Sequence, residues 1–105
     1  MKQMEFRPIY GFGWREDKSS IDPPEPFLIE VESYECSPDR KFYSAVRGTI
    51  SGASHKFHGK WVILTIRGFG NIPDYNVRIY QHPPLPKSPE RALASGFAEL
   101  SRVID

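Results

Sequence analysis

Only one cysteine, Cys36, occurs in 105 residues. An internal disulfide is therefore excluded, and so is a thiolate metal cluster supplied by a single chain. No apolar run approaches the ~20 residues that a membrane helix needs, and residues 1–8 lack the apolar centre of a signal peptide. The expected place of the chain is the cytoplasm, without membrane contact. Net charge is scarce too, at +1, so attraction to a polyanion is not a property of the whole molecule. The chain has no phosphate-cradling Gly-x-Gly-x-x-Gly, no Walker lysine and no Gly-x-Ser-x-Gly elbow. These absences remove the nucleotide-binding and serine-hydrolase classes that a short motif would announce.

The rest of the composition is that of an ordinary folded domain, with 39% apolar, 26% charged and 13% aromatic residues. Ten prolines, about twice average usage, predict long non-helical connections. The charges are unevenly placed. Residues 16–39 carry eight acids against one base, Lys18, and residues 40–87 carry eight bases against one acid, Asp74. Cross-strand pairing of an acidic strand with basic neighbours accounts for this split without a ligand, and a basic face for a polyanion is the competing reading.

Residues 1–26 read as an aromatic arm followed by an acidic, proline-rich connector. Met4, Phe6, Ile9, Tyr10, Phe12 and Trp14 are apolar, but Pro8, Gly11 and Gly13 interrupt any regular period, leaving room for a short strand at most. Pro23, Pro24 and Pro26 give the connector an extended character. Residues 27–105 form the expected domain. Strands are predicted near 27–36, 41–51, 60–69 and 75–81 from alternation with a period of two. In the third of these, Val62, Leu64 and Ile66 face one way and Trp61, Ile63, Thr65 and Arg67 the other. A helix is predicted near 89–104. Ser88-Pro89 has the form of a cap and first turn, and Leu93, Phe97, Leu100 and Ile104 fall within a stripe of roughly 60° on a helical wheel. The expected fold is α+β: an antiparallel sheet of four to five strands with one C-terminal amphipathic helix packed on one face.

Candidate chemistry is thin. His55 and His58 have the spacing of a metal pair, but no cysteine or acid lies beside them to complete a ligand set, and His82 is distant. Cys36 adjoins Glu35, which opposes thiolate formation. Ser54 beside His55 lacks the geometry of a nucleophile and its base. Glu30 and Glu32 share a strand face by alternation alone. The prolines from Pro83 to Pro89 serve as a rigid connector, with a loose proline-rich ligand pattern as the alternative. Nothing assembles an enzyme, a cofactor site or a metal site.

The sharper feature is the polar face of the sheet, which collects Tyr43, Arg47, Trp61, Ile63, Arg67, Arg78 and Tyr80. Aromatic residues, arginine and isoleucine together are what protein interfaces favour. Aromatics with arginines are also how sheets hold single-stranded nucleic acid. The expectation is a small non-enzymatic binding domain of the adaptor, inhibitor or immunity type. It acts through a protein–protein interface on this face, and nucleic-acid binding is the alternative. The apolar residues on that face, with the aromatic arm, also predict a homodimer.

Overall fold

Alternation of buried and exposed residues with a period of two runs through much of the described strands. A computed structural model describes residues 2–14, 26–51, 58–68, 71–84 and 91–104. Six strands follow one another: β1 (Gln3–Trp14), β2 (Phe27–Cys36), β3 (Tyr43–Ile50), β4 (Trp61–Gly68), β5 (Asp74–Tyr80) and β6 (Ala94–Ile104). Each pairs antiparallel with the next, and β1 pairs with β6, so the sheet closes into a barrel. The fold is all-β, which corrects the α+β expectation and its count of four to five strands.

The helix expected near 89–104 is replaced by β6. Residues 85–90, with the Ser88-Pro89 start signal, lie outside the described residues. The apolar stripe at helical spacing was carried by few residues, and tertiary pairing overrides it. In β6 the inward residues are Ala94, Gly96 and Ala98, all buried, while Ser95 is exposed and Phe97 half-buried. This is a period of two written with small side chains, which a search for large apolar residues does not register.

The small residues have a steric reason. An eight-stranded barrel is just wide enough for side chains to fill, and six strands enclose less. Phe6, Phe27 and Tyr75 occupy the interior with aliphatic side chains of β2 to β5, among them Ile29, Val46, Leu64 and Ile79. Phe6 stacks on Phe27 at a centroid distance of 6.2 Å and meets the Tyr75 ring edge-on at 5.4 Å. Alanine and glycine on β6 give these rings their room. Gly48 answers a second constraint. Glu32 is skipped in the β2–β3 register, and a Cβ on Gly48 would stand 2.1 Å from the Glu30 carbonyl oxygen. Only glycine tolerates that approach.

The N-terminal arm supplies β1. Its residues Pro8 and Gly13 sit at register shifts against β6, where an irregular strand accommodates them without breaking the pairing. The acidic connector from 15 to 25 lies outside the described residues.

Two substitutions separate the barrel from a sheet with a docked helix. Phe6→Ala should cost about 3–5 kcal/mol, as for a buried phenylalanine. Phe97→Ala, on the outer wall against Arg67, should cost only about 1 kcal/mol. Chemical denaturation measures both, and a far-ultraviolet spectrum without a helical minimum checks the architecture. Gly48→Ala should be more damaging than either, since the clash is with backbone.

Candidate interaction surfaces on the barrel

The interior is taken up by the core, so the surfaces open to a partner would be the outer wall and the rims. Cross-strand register decides which side chains meet there. Thr49, Trp61 and Tyr80 form one row across β3, β4 and β5. Arg47, Ile63 and Arg78 form the next, continued on β6 by Ser95. Ala45, Thr65, Asn76 and Phe97 form the third. Six of the seven residues singled out in the sequence thus share the outer wall: Arg47, Trp61, Ile63, Arg67, Arg78 and Tyr80.

Their environments differ. Trp61 and Tyr80 are 9% and 8% exposed, so neither ring is a free platform. The indole Nε1 of Trp61 is buried with no hydrogen-bond partner among the described residues. Arg67 forms an ion pair with Asp74, with Nε to Oδ2 at 3.0 Å, and its guanidinium lies 4.1 Å from the Phe97 ring centroid. Arg47 and Arg78 have no carboxylate partner among the described residues. They flank Ile63, which is half-buried. Beside them the wall dips into a depression of about 330 Å³ lined by Ile63, Thr65, Asn76, Arg78 and Tyr80. A second hollow of about 170 Å³ continues it over Ser95 and Gly96 to Phe97. The small side chains of β6 leave the surface low here, as they leave room inside for the aromatic rings.

Tyr43 stands apart, at the rim where β1, β3 and β5 begin. Its ring packs edge-on to Tyr34 at 5.3 Å. Lys2 Nζ donates to Tyr43 Oη at 3.1 Å and lies 4.7 Å from the Tyr34 ring centroid. Tyr75 Oη reaches up from the core to donate to the Tyr43 carbonyl at 2.7 Å. The Tyr34–Tyr43–Lys2 group was not visible in the sequence, because it depends on the skipped residue in β2 and on the seam between β1 and β2.

Among the described residues cross-strand pairing does not account for the charge split; Glu16, Asp17, Asp22 and Glu25 lie outside them. The ion pairs among the described residues join Arg7 to Glu99, Arg67 to Asp74 and Arg102 to Glu5. Glu30, Glu32 and Glu35 on β2 are exposed and enter none of them. The barrel therefore carries an acidic sector on β2 beside a basic one on β3 to β5.

His58 and His82 are exposed, and His55 lies outside the described residues. Among the described residues no three His, Cys, Asp or Glu side chains gather as a metal site would require, and no helix is long and apolar enough to cross a membrane. Comparison of the chain with protein-family models, with curated proteins and with solved structures returned no match.

The rim makes a prediction about pH. Burial, with the Tyr43 phenol as the lesser cause, raises the Tyr75 hydroxyl from 10.0 to about 12. The fold thus favours neutral Tyr75. Its contribution is intact below pH 10 and is lost as pH rises towards 12. Tyr75→Phe should cost about 1 kcal/mol at neutral pH, for the lost hydrogen bond, and should flatten the decline in stability across that alkaline range. Urea denaturation on both proteins from pH 9 upward checks it.

Proposed function

We propose that the protein is a non-enzymatic binding module whose outer wall over β3 to β6 takes an acidic segment of a partner protein. The observation that carries this reading is the pair Arg47 and Arg78, without carboxylate partners among the described residues, on either side of Ile63 and next to a concave surface. Guanidinium groups bind carboxylates through paired hydrogen bonds, and an apolar centre between them supplies the desolvated contact on which interface energy concentrates. The depression accommodates a side chain rather than a small molecule enclosed on all sides.

The same arginines would suit phosphates, so the choice between protein and nucleic acid turns on the aromatics. Single strands are held by stacking bases on open rings. Here Trp61 and Tyr80 are buried, and the Arg67 guanidinium covers Phe97. The wall offers charge and an apolar centre but few open rings, which favours a protein segment. A second copy of the chain is one source of acid, since Glu30, Glu32 and Glu35 are exposed.

Fluorescence anisotropy with a labelled peptide alternating glutamate and leucine, beside a single-stranded oligonucleotide of equal charge, tests the reading at about 50 mM salt. Saturable peptide binding is expected. Arg47→Glu with Arg78→Glu should weaken it by about tenfold or more, and Ile63→Ser should weaken the peptide but not the oligonucleotide. Tighter binding of the oligonucleotide would replace the protein reading with the nucleic-acid one. Light scattering on the same samples shows whether the chain also pairs with itself.

A further inference from the structure

A closed barrel protects its strands by pairing both edges of each, and β2 departs from that rule over its second half. Its register with β1 runs only over Phe27 to Glu30, and the Lys2 carbonyl takes the Val31 N–H at 3.1 Å. On its other side β2 stays paired with β3 as far as Cys36. Residues 32–36 are therefore bonded on one side and lack a strand partner on the other among the described residues. All five are exposed.

This edge is held ready by its turn. The Ser37 N–H donates to the Phe42 carbonyl and the Arg40 N–H to the Ser37 carbonyl, both at 2.8 Å. Asp39 accepts from Ser37 Oγ at 2.6 Å and from the Lys41 N–H at 3.1 Å. The hairpin is thus fixed before any partner arrives, which lowers the ordering cost of adding a strand.

Edges are commonly blunted by lysine or proline. Residues 32–36 contain neither, and bear Glu32 and Glu35, which enter no ion pair among the described residues. Side chains on adjacent strands come within about 5 Å of each other, so two carboxylates repel another acidic strand, including β2 of a second copy, and favour a basic one. The rings at this edge already hold a cation: Lys2 Nζ lies 4.7 and 5.3 Å from the Tyr34 and Tyr43 ring centroids, at the point where the pairing of β1 stops. We infer that residues 32–36 of β2 form a strand-addition site for an extended segment of another protein carrying lysine or arginine at alternate positions. Backbone hydrogen bonds provide the attachment, and Glu32, Glu35 and Tyr34 select for positive charge.

The test uses the isotope-labelled full chain and a ten-residue peptide alternating lysine with threonine and valine. Amide shifts confined to residues 32–36 and their neighbours on β3 are expected on titration. A peptide of the same sequence with alternate backbone nitrogens methylated keeps the charge but loses ladder donors, and should not bind. The glutamate counterpart should not bind either. Glu32→Lys with Glu35→Lys, on an exposed strand and checked for folding by circular dichroism, should weaken the lysine peptide by about tenfold or more. Arg78→Glu, on β5 and away from β2, should leave it unchanged, which separates this site from the arginine wall. Equal binding of the methylated peptide, shifts located elsewhere, or no shift at millimolar peptide would each overturn the inference.

Discussion

Closure of a six-stranded sheet is the constraint on which the rest of the molecule depends. A sheet of this size can meet itself only around a narrow interior, and the interior must hold Phe6, Phe27 and Tyr75. Something has to yield, and β6 does so with Ala94, Gly96 and Ala98. The same economy shapes the outside, where Ser95 and Gly96 lower the wall beside Arg78. Closure also fixes the offset between β1 and β2, which leaves part of β2 without a second strand neighbour among the described residues. The core, the low outer wall and the one-sided pairing of β2 among the described residues thus follow from one geometric demand.

Much of this was legible wherever a strand announced itself with large residues. In β4, Val62 and Leu64 are buried and Ile66 half-buried, while Thr65 and Arg67 are exposed, as alternation implies. In β5, Tyr75, Val77 and Ile79 point inward, also as read. Alternation placed Arg47, Ile63 and Arg78 on one face, and register then brought them into one row. The failures have physical reasons. Pro8, Gly11 and Gly13 are sound signals against regular structure, yet a strand with register shifts absorbs them. Leu93, Phe97, Leu100 and Ile104 fit a helical stripe, but the residues that decide β6 are the small ones between them. Burial of Trp61 and Tyr80 could not be read, because alternation gives the direction of a side chain and not how much of it is covered.

The unneutralised charge on the wall bears on specificity. A surface that carries exposed acids on β2, and on β3 and β5 arginines without carboxylate partners among the described residues, presents two sectors of opposite sign on one small body. Such a field orients an approaching partner before contact and rejects one with the opposite arrangement. Because Arg78 and the β2 acids are solvent-exposed and Arg47 is half-buried, the effect weakens with salt and contributes little to the stability of the fold itself.

The order of the strands has a kinetic side. Every pairing but one joins consecutive strands, and the exception brings Gln3 beside Ile104. Five hairpin-like pairings can form while the chain is still short-ranged in its contacts, but the last must close a loop of nearly the whole sequence, at a cost in chain entropy. Until that seam shuts, β1 and β6 each present a bare row of hydrogen-bonding groups, and the interior aromatics are uncovered. The slow step of folding is then also the moment of greatest exposure to aggregation, and the irregular β1–β6 ladder is where the chain's refolding yield is decided.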